Sequence, residues 1–141
     1  MTNDQIAMTN QAPMTNDQER SGDGADGQRF DLEERTARFG EAIIAFAKRV
    51  SRNPITLPLI SQLVRSGTSI GANYCEADEA DSKKEFRYRI GVCKREARET
   101  RFHIRMLAAA EPQLRDDGRA LWQEAKELTM IFASILRQRP K

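Results

Sequence analysis

Six cationic side chains recur at helical spacing in the middle of the sequence. They follow one another at intervals of four, seven, four, three and four residues: Lys83, Arg87, Lys94, Arg98, Arg101 and Arg105. Like charges four residues apart on a helix repel one another by a few tenths of a kcal/mol, unless an anion lies alongside. These residues, here called the basic stripe, therefore have the chemistry to bind phosphate or carboxylate groups.

Three partners for the basic stripe are compatible with the sequence. The first is solvent with its counterions, the usual environment of a run of charges. The second is the acidic flank of a neighbouring subunit, in a head-to-tail contact that closes into a ring. The third is nucleic-acid phosphate, which spaced Arg and Lys side chains neutralise without reading bases. Aromatic residues near the stripe are few, with Tyr88 and Phe102 among them, and no known RNA-binding signature is present.

A second stripe consists of small polar residues and precedes the first in the chain. Its members are spaced by four, three, four and three residues: Gln62, Ser66, Ser69, Asn73 and Glu76. Gly67, Gly71 and Ala72 beside them allow two helices to approach closely, and small polar side chains can hydrogen-bond across such an approach. We interpret this polar stripe as a packing interface, within a subunit or between subunits, rather than a ligand-binding or catalytic site.

Residues that could catalyse a reaction or bind a metal are sparse. His103 is the single histidine and has no second ligand at metal-binding spacing, so neither a zinc site nor a di-iron site is predicted. Acidic residues between the second and third predicted helices could bind a hard cation, but their order does not match an EF-hand loop: Glu76, Asp78, Glu79 and Asp81. The G-x-S-x-G and Walker A motifs are missing. We expect no enzymatic activity, no cofactor and no metal.

Composition points to one small helical domain. The chain has 141 residues, of which 39% are hydrophobic and 31% charged, and no apolar run is long enough to span a membrane. A secretory signal is not recognisable and the two cysteines are not at a paired spacing, so a cytoplasmic protein with reduced thiols is expected. Residues 1–28 carry five acids and one Arg, a net charge of −4, which leaves +6 on residues 29–141.

Apolar residues at intervals of three and four predict the elements that position both stripes. Four amphipathic helices are predicted at about 31–52, 57–78, 83–110 and 113–138. Asp31, Thr56 and Ser82 are the predicted N-terminal caps, and Pro54 and Pro112 separate helices. Four helices of similar length with short connections alternate in direction, so residues 29–141 are predicted to form an all-α, antiparallel up-and-down four-helix bundle. Residues 1–28 lack apolar surface and are predicted to be a disordered tail.

Two segments carry a resemblance to a known family: SQLVRSGTSIGANYCEADEA at residues 61–80 and SKKEFRYRIGVCKREARETRFHIRML at residues 82–107. They resemble bacterial four-helix-bundle proteins encoded in intervening sequences of large-subunit ribosomal RNA genes. The most specific part of the resemblance combines the polar stripe with its neighbour Arg65 and with Glu85-Phe86. The chain departs from the family at Tyr74-Cys75-Glu76-Ala77, where many relatives have Ile-Ala-Glu-Gly.

The resemblance implies a barrel-like homopentamer without established enzymatic activity. The chain is more distantly similar to the accessory variability determinants of diversity-generating retroelements, basic pentamers that associate with a reverse transcriptase and nucleic acid. Our leading hypothesis is therefore a non-enzymatic homo-oligomeric scaffold, expected to be pentameric, whose basic stripe binds RNA or an RNA-associated protein. The competing hypothesis is a purely structural or protein-docking ring, in which the same arginines serve the subunit contact.

Overall fold

The computed structural model describes residues 24–138 of the chain, with side chains described from Leu32 onward. This part contains four α-helices, α1 (Gly24–Lys48), α2 (Thr56–Asp78), α3 (Lys83–Ala110) and α4 (Arg115–Arg137), with a 3-10 turn at Pro112–Leu114. Each helix packs against the next, and α1 also meets α4, so that α1 and α3 lie diagonally across the bundle. The predicted all-α four-helix bundle is confirmed.

The core forms because each helix presents one apolar face to the others. Phe39 and Phe46 from α1 and Phe132 from α4 are the largest fully buried side chains. Burying a side chain of this size contributes ~1.5–3 kcal/mol, so the aligned faces supply the main stabilisation. The α1–α4 edge is crossed by an ion-pair network, in which Arg35 donates to Glu124 Oε2 at 2.7 Å and to Glu127 Oε1 at 2.9 Å. These carboxylates raise the pKa of the Arg35 guanidinium.

Helix α3, which carries the basic stripe, has the residues expected at its ends. It occupies the predicted range 83–110, and the Ser82 side chain accepts a hydrogen bond from the backbone N–H of Glu85 at 3.1 Å. This bond satisfies one of the free amides of the first turn. After Ala110 the chain turns at Pro112, which cannot continue the helical hydrogen-bond pattern.

The start of α1 corrects a prediction. The helix begins at Gly24 rather than Asp31, so residues 24–28, predicted as tail, are helical and Asp31 lies inside the helix instead of capping it. No proline interrupts residues 24–31, and a helix that has nucleated gains one backbone hydrogen bond for each residue added. The rest of the predicted disordered tail, residues 1–23, lies outside the described residues.

The corner between α1 and α2 also differs from the prediction. Helix α1 ends at Lys48, and the predicted cap Thr56 is instead the first residue of α2 and is buried. Asn53 Oδ1 does the capping, because it accepts hydrogen bonds from the backbone N–H groups of Ile55 and Thr56 at 2.9 and 3.0 Å. A short carboxamide can reach backbone two and three residues ahead, which explains why Asn53 takes this role.

Candidate functional site

The six residues of the basic stripe do not all share one environment. Arg87 is turned toward the C-terminal end of α4, where its Nη2 donates to the carbonyl of Leu136 at 2.8 Å and its Nη1 to that of Gln138 at 3.3 Å. A cation at this position satisfies carbonyls that the helix leaves free and complements the helix dipole. Arg87 is therefore engaged within the chain, and its role as a contact residue for nucleic acid or a subunit stays a prediction.

The remaining residues of the stripe lie on two sides of α3. Lys94 and Arg101 are half-buried, whereas Lys83, Arg98 and Arg105 are exposed. The buried side of α3 is set by residues such as Ile90, Ala97 and Ile104. With 3.6 residues per turn, Arg98 and Arg105 lie about 100° around the helix from the buried Ala97 and Ile104 that precede them, on the solvent side, while Lys94 and Arg101 lie closer to the buried side.

The most exposed side of α3 combines arginine with aromatic residues. We call it the outer face, and its members are Tyr88, Arg95, Arg98, Phe102 and Arg105, all of them exposed. Tyr88 is 60% exposed and Phe102 55%, which is unusual for aromatic rings and leaves both accessible to a partner. Arg95 is not part of the predicted basic stripe, because it falls outside the spacing of those six cations. It lies two residues from both Cys93 and Ala97, about half a turn from the buried side of α3.

The arginines of the outer face have no internal counter-charge. Within residues 32–138, no ion pair or hydrogen bond involves the side chains of Arg95, Arg98 and Arg105. The acidic residues nearest in sequence, Glu96 and Glu99, are instead held by Arg65 of α2, at 3.2 and 2.6 Å. The hydrogen bond to Glu99 raises the pKa of Arg65. The positive charge of the outer face is therefore left for a partner or for solvent ions.

The groove between α3 and α4 adds two residues that the sequence did not single out as functional. The Arg101 guanidinium lies 5.4 Å from the centre of the Trp122 ring, and the Lys126 ammonium lies 5.7 Å from it. Cations over an indole are attracted by ~0.5–2 kcal/mol, so both side chains are held beside the ring. Trp122 is half-buried on α4, and its position beside two cations makes it part of the surface.

Two surface recesses adjoin this groove. One, of about 970 Å³, runs over α3 and includes Arg98, Phe102 and Lys126. The other, of about 600 Å³, lies between the second half of α3 and the first half of α4. Arg105 and Trp122 line both, so the two recesses adjoin at these residues.

The polar stripe contacts α3 within the same chain. Ser66 Oγ and Thr100 Oγ1 lie 2.9 Å apart, and both residues are fully buried. Asn73 Oδ1 accepts a hydrogen bond from Arg89 at 3.0 Å, while its Nδ2 donates to the carbonyl of Ser69 at 2.9 Å. These bonds pair polar groups that burial would otherwise leave costly.

The edges of the polar stripe are exposed. Gln62 Oε1 accepts a hydrogen bond from Arg65 Nε at 3.3 Å, whereas Glu76 lies exposed near the end of α2. Arg65, at the edge of the stripe, thus contacts Gln62 as well as Glu96 and Glu99 of α3, the glutamates next to the arginines of the outer face. That connection was not visible in the spacing of the stripe.

Residues considered for catalysis have no shared geometry. Over residues 32–138, no group of three or more His, Cys, Asp or Glu side chains is placed to hold a metal ion, and the acidic residues after α2 do not form one. His103 packs edge-on against Phe102 at 5.7 Å, and burial lowers its pKa. Cys75 and Cys93 are both free thiols. None of the described helices combines the length and apolar character needed to cross a bilayer.

Comparisons with known proteins agree with this architecture. A family model described as 23S rRNA-intervening sequence protein matches residues 28–134. A solved structure from Bacteroides thetaiotaomicron, described as a protein with unknown function from the S23 ribosomal protein family, is 26% identical in sequence. The match covers 76% of this chain and 99% of that one, with a TM-score of 0.70. Curated proteins yield no match.

Proposed function

The chain belongs to the 23S rRNA-intervening sequence protein family, and from that premise we propose that it is a non-enzymatic homo-oligomeric scaffold that binds RNA through the outer face of α3. One observation carries the proposal: three arginines whose side chains have no partner within residues 32–138 lie with two exposed aromatic rings on the solvent side of one helix. Arginines contact phosphates, and exposed rings stack on bases at ~1–3 kcal/mol per base. Binding of this kind follows the backbone and has little sequence preference.

Charge supports RNA over a neutral partner. The region around the outer face also includes Arg101 and Lys126, and Arg65 pairs with Glu96 and Glu99, the glutamates nearest to its arginines in sequence. A concentrated positive surface attracts a polyanion, and release of condensed counterions then contributes to affinity. The family name connects its members with 23S rRNA, which is consistent with RNA as the polyanion.

The salt dependence of RNA binding tests the proposal. Fluorescence anisotropy would measure the affinity for a hairpin RNA between ~50 and ~200 mM salt. Three phosphates neutralised by Arg95, Arg98 and Arg105 predict a slope of about −2 to −3 in log affinity against log salt. Reversing two of these charges, in the double variant Arg95→Glu with Arg98→Glu, should weaken RNA binding. It should also reduce the magnitude of the slope of log affinity against log salt by about 2.

A matched control separates the outer face from net charge. Lys48→Glu with Arg137→Glu changes the total charge by the same amount at exposed positions on α1 and α4. The control should lose far less affinity than the variant of the outer face, because its positions lie outside the face. Equal losses in the two variants, or binding that does not depend on salt, would contradict an RNA site on α3.

Oligomer formation is the second half of the proposal, and five subunits is the number that the family resemblance implies. Light scattering after size-exclusion chromatography should give a mass near five times the 16.0 kDa of one chain. A monomer at micromolar concentration would refute the ring. If Arg95→Glu with Arg98→Glu dissociates the oligomer, the arginines serve a subunit contact; if the mass stays unchanged while RNA binding is lost, the face serves RNA.

A further inference from the structure

The recess between α3 and α4 has the size and shape of a small-molecule pocket. Its volume is about 600 Å³, within the range of about 300–1,000 Å³ typical of ligand pockets. Small residues, Ala108, Ala109 and Gly118, form much of its lining, and the indole of Trp122 forms one wall. A flat apolar group can therefore enter between the helices and lie against an aromatic ring.

The entrance to this recess is positively charged. Arg105, Arg115 and Arg119 line it. Arg115 has no ion pair within residues 32–138, and the contact of Arg119 with Asp116 is 3.6 Å long between two largely exposed side chains, a kind of pair that contributes little. The other acid of this turn, Asp117, is already paired with Arg49, the residue that follows α1. An apolar recess bordered by three arginines favours a ligand that joins a flat ring to an anion.

A nucleotide has this combination of groups, and the recess adjoins the outer face at Arg105, which lines the recess and belongs to the face. A strand running along α3 would therefore reach the recess without leaving the positive surface. A base inside a duplex could not enter, because it is stacked and paired, whereas an unpaired base can be turned outward to an aromatic side chain.

We propose that this recess binds one unpaired nucleobase of RNA, stacked against Trp122, with the adjoining phosphates contacted by Arg105, Arg115 and Arg119. The inference rests on the proposed RNA binding and narrows it from RNA in general to single-stranded or bulged segments. The outer face supplies affinity for the backbone, and the recess selects strands that can present a free base.

Intrinsic fluorescence tests the pocket in the unmodified protein, because Trp122 is the sole tryptophan of the chain. A single-stranded oligoribonucleotide should quench the emission, and it should bind about tenfold more tightly than a duplex of equal length. An abasic oligonucleotide of the same length carries the phosphates but no bases, so it should bind without comparable quenching. Equal quenching by the abasic strand would overturn the proposal.

A variant that fills the recess provides a second test. Ala108→Leu keeps every charge and adds bulk to a partly exposed position of the lining, so it should remove the quenching and the tenfold preference while salt-dependent binding persists. Ala37→Leu adds the same bulk to an exposed position of α1, diagonal to α3, and should behave as wild type. Circular dichroism would verify that both variants fold.

The outcomes distinguish this inference from the proposed function. If single strands and duplexes bind equally well with strong salt dependence and without quenching, the base pocket is wrong and the RNA-binding face stands. If neither form binds, both proposals fall. If quenching occurs but persists in a folded Ala108→Leu protein, the base stacks elsewhere on Trp122 and the recess is not the pocket.

Discussion

Replacing Gly67 by alanine should destabilise the bundle, although alanine is the better helix former. A β-carbon at Gly67 would lie 2.8 Å from Cγ2 and 3.0 Å from Cγ1 of Ile43, which is fully buried in α1. Overpacking of this kind costs ~1–3 kcal/mol, because side chains or helices must shift. The change from Gly to Ala recovers ~1 kcal/mol of helix propensity. We therefore expect a net loss of up to about 2 kcal/mol in the free energy of unfolding.

Gly91 provides the matched comparison. It also lies inside a helix, but a β-carbon there would have no neighbouring atom within 4 Å. Gly91→Ala should therefore stabilise the protein by about 1 kcal/mol through propensity alone. Urea unfolding of both variants, at one fixed protein concentration, measures the two effects with opposite signs. Equal stabilisation by both substitutions would refute the close approach of α1 and α2 at this point.

Three further predictions concern residues around the outer face and the core. Arg65→Gln should reduce RNA affinity severalfold, because Glu96 and Glu99 lose their counter-charge. The free energy of unfolding should fall by less than ~1 kcal/mol, as expected for ion pairs near the surface. Unchanged RNA affinity would contradict an effect of Arg65 on the outer face. A thiol reagent at pH 8 should modify Cys75 but leave Cys93 unreacted until the protein unfolds, because burial raises the pKa of Cys93 to about 12; two rapid equivalents would contradict this. The free energy of unfolding of the wild type should fall relative to that of His103→Gln as the pH drops from 7 to 5. His103 has a lower pKa in the folded than in the unfolded chain, so the unfolded chain binds the proton more readily. Urea titrations of both proteins at each pH measure this difference, and parallel pH dependences would contradict the prediction.

The helices were predictable where capping and periodicity agree. In the sequence, Ser82 marks the start of α3 and Pro112 its end. The apolar residues between them recur every three or four positions, so the ends and the buried side of α3 follow from local rules. The corner after α1 was less predictable, because Asn53 and Thr56 are both acceptable caps and only the path of the chain decides between them.

The candidate site was predictable in charge but not in detail. The excess of cations on α3 is visible in the sequence, yet the engagement of Arg87 depends on where α4 ends. The pairing of Arg65 with glutamates 31 and 34 residues away likewise depends on how α2 packs against α3. Such long-range pairs decide which charges remain for a partner, and spacing along one helix carries no information about them.

Photocrosslinking tests the central claim, that RNA lies on the outer face of α3, most directly. Ultraviolet irradiation of the protein bound to a uridine-rich single strand, followed by mass spectrometry, identifies the residues in contact with bases. We expect adducts at Tyr88, Phe102 and Trp122, which competitor RNA and high salt should suppress together. Adducts concentrated on α1, with none on α3, would contradict the account.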